Sequence, residues 1–137
     1  ENLMGEEFKE ELGQDRVKRA THVIQEQKRV EATVEALKKS DFSLVGELLN
    51  QSHDGLQNLY EVSCAELDFL AAYAKNDDRV LGARMMGGGF GGCTINLMDE
   101  KHVQSFVADA SKAYKAACNL DLTAIPIKTN NGVRKIN

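Results

Sequence analysis

Five of the six residues from Gly87 to Gly92 are glycine, Phe90 being the exception, and the run lies between two short stretches, Val80 to Met86 and Cys93 to Leu97. Glycine loses more conformational freedom on folding than any other residue, so a run this dense calls for backbone at positive φ or backbone that something approaches closely. The flanks are short and apolar or β-branched, which predicts a strand–loop–strand unit. A two-residue hairpin needs one or two glycines. Five exceed that, and a backbone surface offered to a phosphate stands as the alternative to a tight turn.

The spacing Gly87-x-Gly89-x-x-Gly92 matches the dinucleotide-binding fingerprint letter by letter. That fingerprint needs a helix directly after its last glycine, to aim a helix N-terminus at the pyrophosphate, whereas Thr94-Ile95-Asn96-Leu97 reads as strand. A Walker A loop is excluded because no Gly-Lys-Ser/Thr follows. Protein kinases place GxGxxG between strands, but no VAIK-like lysine strand, HRD or DFG accompanies it here. What remains is a glycine turn whose amides form an anion nest or let another segment pack against them.

The rest of the chain supplies helices. Val17, Ala20, Val23, Ile24, Val30, Val34 and Leu37 recur at the spacing of one helical face, predicting a long amphipathic helix from Asp15 to Lys39. Asp41 is positioned to cap a second helix through Leu49 that stops near Ser52, and a third spans Gly55 to Val62. Ser63-Cys64-Ala65-Glu66 has the form of a capping box ahead of a fourth helix, which ends at Asn76-Asp77-Asp78. Beyond the second strand, Asp99 can cap a helix with Val103, Phe106, Val107, Ala110, Ala113, Tyr114 and Ala117 on one face, suited to packing on a sheet. Thr123 to Lys128 reads as an edge strand with Pro126 inside it, and Asn130-Asn131-Gly132 as a turn before Val133 to Ile136. One further strand ahead of the first helix would complete β-α-β-β-α-β. The expected fold is therefore α+β, ferredoxin-like (split βαβ), with helices on a mainly antiparallel sheet; its opening strand is either supplied irregularly by the N-terminal residues or, the preferred reading, expected upstream of Glu1. A sheet lacking that strand has unpaired edges, which invite pairing of two copies.

Length and charge narrow the classes. The 137 residues form one expected domain, 1–137, with composition ordinary for a globular protein. A net charge of −4 with only short basic pairs, Lys38-Lys39 and Arg134-Lys135, argues against a nucleic-acid partner. No apolar run reaches membrane-spanning length, so no membrane partner is expected. Cys64, Cys93 and Cys118 are odd in number and carry no CxxC, which fits small buried hydrophobes in a reducing, cytoplasmic setting. Ser52-His53-Asp54 contains the residue types of a hydrolase triad, but neighbours on a helical turn point apart, and triads converge from separate segments. His22, His53 and His102 show no metal-ligand spacing, and the acidic groups Glu6-Glu7, Glu10-Glu11 and Asp77-Asp78 read as solvated charge. Met85 is assigned to the core and Met86 to an interface; Arg84, on the face of Met86, serves either an interdomain contact or an ordinary salt bridge.

The segment Gly82-Ala83-Arg84-Met85-Met86-Gly87-Gly88-Gly89-Phe90-Gly91-Gly92-Cys93-Thr94 resembles the third sequence motif of the GHMP small-molecule kinases, and within that superfamily the galactokinases. Ser52-His53-Asp54-Gly55-Leu56, Tyr60-Glu61-Val62-Ser63-Cys64-Ala65-Glu66-Leu67-Asp68 and Arg19-Ala20-Thr21-His22-Val23-Ile24 with Arg29-Val30 are similar to that family as well. The likeness runs from about Lys18 to Lys135. It implies the C-terminal domain of an enzyme that transfers the γ-phosphoryl group of ATP, with Mg2+, to the anomeric hydroxyl of galactose. It implies also that the catalytic and sugar-reading residues and most ATP and Mg2+ contacts lie in an N-terminal domain, this chain's partner, and that the chain alone is inactive. Gly87, Gly88, Gly89, Phe90, Gly91 and Gly92 are then expected to line the cleft between the domains. Met86 stands where the family commonly has Thr. Gly89→Val is expected to cut turnover while leaving this domain folded. Two other readings remain open: a non-catalytic regulator responding to galactose and ATP, and a stand-alone interaction module.

Overall fold

The computed structural model describes residues 11–129. Helix α1 (Gln14–Lys38) ends in a Schellman motif: Ser40 takes the left-handed conformation, its N–H meets the Leu37 carbonyl, and the Asp41 N–H meets that of Ala36. Asp41 then caps α2 (Phe42–Gly55), its carboxylate accepting from the Leu44 N–H at 3.0 Å. The two helices thus meet in a tight corner.

The second and third expected helices are one element. Gly55 is helical, and a π-helical turn, Leu56–Tyr60, extends α2 to Glu61, whose left-handed backbone ends it. Gly55 is there for contact rather than for a break: a Cβ on it would lie 2.7 Å from Nδ1 of His22 and 3.0 Å from Nη2 of Arg29, both on α1.

Helix α3 (Ala65–Lys75) ends at Asn76 as expected, but the capping box does not form. Cys64 is the cap residue, without a side-chain hydrogen bond, and the Ser63 hydroxyl donates instead to Asp68 at 2.5 Å.

Strands β1 (Val80–Met86) and β2 (Cys93–Met98) form an antiparallel pair, from Val80 opposite Met98 to Met86 opposite Cys93, with an irregularity between Val80 and Gly82. Ala83 faces α3 and the last helix, and Met85 faces α3 and the π turn. Arg84, between them, faces the opposite way, as strand alternation requires. Asp99 caps a 3₁₀ turn, Glu100–His102, that leads into α4 (Val103–Cys118). Phe106, Ala110 and Tyr114 form its buried stripe. Ala74, Ala83, Phe106 and Ala110 make one core cluster, flanked by Tyr73, Val80 and Met98; Leu56, Leu67 and Met85 make a second, flanked by Val62 and Cys64. The described architecture is therefore helices packed on a two-stranded antiparallel sheet.

Helix α2 closes the outer edge of β1, which was expected to be unpaired. The Ala83 N–H donates to Oδ1 of Asn50 at 2.9 Å and the Met85 N–H to Nδ1 of His53 at 3.2 Å, so two helical side chains stand in for a neighbouring strand. The backbones touch where Gly82 meets Gly46: a Cβ on Gly82 would sit 1.9 Å from the Gly46 carbonyl oxygen. Two other expectations fail. Residues 121–129 join no ladder, so Thr123–Lys128 is not a strand among the described residues, and Ile125 and Ile127 are exposed. A strand exists by pairing, and this one has no partner there. The α1 face is also incompletely covered: Val23, Val30, Val34 and Leu37 are each about half exposed. The turn at 130–132 and the strand at 133–136 lie outside the described residues.

Candidate functional site

The loop Gly87–Gly92 caps the open end of the hairpin, past the Met86–Cys93 pair. Gly87, Gly89, Gly91 and Gly92 have φ of 84°, 88°, 133° and 108°. This is backbone that side chains rarely adopt, which accounts for four of the five glycines. Phe90 also sits at positive φ, 60°, and its side chain is 76% exposed. An aromatic ring turned to solvent from a left-handed residue carries strain that folding alone does not reward, and such outliers cluster at functional sites.

The loop is open on one side and latched on the other. A Cβ on Gly87, Gly88, Gly91 or Gly92 would meet nothing within 4 Å, whereas one on Gly89 would lie 2.0 Å from the Val62 carbonyl oxygen. That carbonyl also accepts from the Phe90 N–H at 2.7 Å. Among the described residues no other loop amide has a main-chain partner outside the strands. The structure thus corrects the expectation for Gly89→Val, because the substitution drives a side chain into the backbone of this domain itself.

Val62 is held in turn from α1. Glu61, just before it, takes Nη2 of Arg19 at 2.7 Å and Nζ of Lys18 at 3.2 Å, while Nη1 of Arg19 donates to the Leu59 carbonyl at 2.6 Å. The Arg19 and Lys18 contacts hold the Glu61 carboxyl below its usual range. The side chains are about 40% exposed, so solvent screens each pair and its net contribution to stability is small. Their contribution is geometric: they fix the end of the π turn from which the latch is presented.

Ser52, His53 and Asp54 diverge as helical geometry requires. Ser52 donates to Glu26 of α1 at 2.5 Å, His53 accepts from Met85 of β1, and Asp54 pairs with Lys75 of α3 at 3.1 Å. Arg84 is an internal ion-pair residue, with Nη1 3.2 Å from Oε1 of Glu26. Burial alone would raise the Glu26 carboxyl, but the Ser52 hydrogen bond and the guanidinium groups of Arg29 and Arg84 outweigh it and hold the acid low. Glu26 thereby ties α1 to α2 and β1 behind the loop. Met85 is fully buried and Met86 nearly half exposed beside the glycines. His53 is 5% exposed, and burial lowers its pKa although Asp68 and Asp54 oppose the shift. The sequence marked the six loop residues. Val62 and His53 were named only within family-like segments, and His53 in a triad set aside; their roles arise from segments distant along the chain.

A two-stranded hairpin with an open glycine loop, backed by helices, defines a recognisable class of domain. Residues 33–116 match the family described as GHMP kinases C terminal, and the chain belongs to that family. Among curated proteins it is 44% identical over 119 residues to a galactokinase of Thermotoga petrophila, covering 87% of this chain and 34% of the relative. It is 40% identical over 132 residues to a galactokinase of Clostridium perfringens, covering 96% and 34%. The solved structure of Lactococcus lactis galactokinase complexed with galactose superposes with a TM-score of 0.77 at 38% identity, covering 80% of this chain and 28% of that one. The chain spans about a third of the length of these curated relatives. No helix among the described residues is long and apolar enough to cross a membrane.

Proposed function

We propose that the chain is the C-terminal domain of a galactokinase, an enzyme that transfers the γ-phosphoryl group of Mg-ATP to the anomeric hydroxyl of galactose, and that Gly87–Gly92 walls the active-site cleft. The family match and the galactokinase relatives support the reaction class. The observation that carries the role of the loop is its geometry: positive-φ backbone, open space at the Cβ positions of Gly87, Gly88, Gly91 and Gly92 among the described residues, and a latch to Val62 through Gly89 and Phe90. Phosphoryl transfer depends chiefly on positioning and on stabilising charge on the transferred oxygens. Amides without a main-chain partner suit phosphate or sugar oxygens, and the absence of Cβ atoms lets them come close. No group of three or more His, Cys, Asp or Glu side chains is gathered among the described residues. The magnesium ligands and the residues that activate the sugar hydroxyl are accordingly assigned to the N-terminal domain, the partner across the cleft. Mg-ATP, when bound, supplies the phosphoryl group. This chain's residues contribute a wall that excludes water and orients what lies against it, in a cytoplasmic enzyme.

Gly88→Ala and Gly91→Ala in the full-length protein test the reading, because neither Cβ would meet anything within 4 Å among the described residues. Galactose phosphorylation is expected to fall by roughly 10- to 100-fold in kcat/KM for at least one of them, with the thermal midpoint nearly unchanged for Gly88→Ala. Wild-type kinetics in both would remove the loop from the cleft. A full-length protein that binds galactose and ATP without transferring phosphate would replace the enzyme by a regulator.

A further inference from the structure

We propose that His53, Asp68 and Ser63 form a positioning relay that holds the glycine loop at its root and at its tip together. At the root, Nδ1 of His53 accepts the Met85 N–H at 3.2 Å, one residue before Met86 and the loop. Accepting there leaves the imidazole proton on Nε2. Nε2 is buried without a hydrogen-bond partner among the described residues, and Oδ1 of Asp68 lies 3.5 Å from it. The same Oδ1 accepts the Ser63 hydroxyl at 2.5 Å. Ser63 follows Val62, whose carbonyl takes the Phe90 N–H at the loop tip and fits against Gly89. The path from Met85 to Phe90 therefore runs through α2, α3 and the α3 entry and returns to the hairpin it left. Asp68 stands between the two groups that meet the hairpin, bonded to Ser63 and 3.5 Å from His53.

The relay titrates. A protonated His53 has no acceptor for the Met85 N–H, so the root bond is lost when the ring gains a proton. The charges facing the ring are Asp68 and Lys75 on α3, Asp54 on its own helix and Arg84 on β1. Burial dominates them and keeps the ring neutral to lower pH than a free histidine.

The bearing of the relay on phosphoryl transfer rests on the loop being the cleft wall, as proposed above; its existence does not. Amide hydrogen exchange in the full-length protein separates the two. Asp68→Ala removes the one oxygen that faces both Nε2 and the Ser63 hydroxyl, so exchange at both Met85 and Phe90 is expected to rise about tenfold, the effect of one lost hydrogen bond. Ser63→Ala, which leaves the packing intact, should raise exchange at Phe90 more than at Met85. His53→Asn keeps an acceptor in the place of Nδ1, so it should preserve protection at Met85. It should also abolish the extra exchange expected of wild type, beyond the intrinsic rate, as pH falls through the His53 pKa. Unchanged exchange at Phe90 in both Asp68→Ala and Ser63→Ala overturns the relay. Raised exchange at Phe90 with wild-type galactose phosphorylation keeps the relay and overturns the cleft-wall reading instead.

Discussion

Gly46 and Gly82 are glycines because another backbone occupies the place of a side chain; Gly87, Gly91 and Gly92 are glycines because of their own φ, with empty space where a side chain would go. The first pair lies where α2 closes the edge of β1, in the interior of the fold. The second set lies at the far end of the same hairpin, where an added Cβ would meet nothing within 4 Å among the described residues. Folding explains the first pair completely. It explains the second only as a turn, and a turn needs fewer. That surplus is what the proposal above assigns to the cleft, and why it places function at the loop rather than at the edge. Gly89 stands between the two groups, with both a positive φ and a carbonyl oxygen in the way.

Substitutions at the two kinds of site should separate. Gly82→Ala places a methyl 1.9 Å from the Gly46 carbonyl oxygen, and backbone on both sides leaves no flexible atom to yield. A loss of about 3 kcal/mol or more is expected from overpacking of this kind, read from denaturant midpoints. An unchanged midpoint would break the comparison at its interior end. Gly89→Ala should show both effects: the loop lifts from Val62, the Phe90 hydrogen bond is lost at about 1 kcal/mol, and turnover of the full-length protein falls with it. Stability lost without turnover would assign Gly89 to the interior group. The smallest stability change, and the sharpest, is expected from Phe90→Gly. Relief of left-handed strain, about 1–2 kcal/mol, exceeds the added entropy of glycine, about 0.5–1 kcal/mol. The domain should become more stable by roughly 0.5 kcal/mol while galactose phosphorylation slows. Parallel changes in the two would show that the ring serves folding after all.

The division between what the sequence revealed and what it concealed follows the same line. Strands β1 and β2, helix α4 and the ends of α1 were legible because period and capping are local properties, and Asp41 and Asp99 cap where their positions indicated. The need for positive φ in the loop was legible from glycine density alone. Contacts between distant segments were not. Gly55 read as a helix break because nothing nearby reveals that His22 and Arg29 crowd it. Ser63 read as a cap because Asp68, its actual partner, lies two residues further on than the capping-box glutamate. His53 appeared as a residue at a helix end, since neither the π turn nor the Met85 N–H it receives has a sequence signature. Thr123–Lys128 has the composition of a strand, but pairing requires a neighbour that the described residues do not provide.

The most direct test of the central claim is an amide chemical-shift titration of the full-length protein with galactose and a non-hydrolysable ATP analogue. The account predicts the largest glycine shifts at Gly87, Gly88, Gly91 and Gly92, with Gly46 and Gly82 nearly still. Saturated binding of both ligands that leaves those four loop amides unmoved would contradict it.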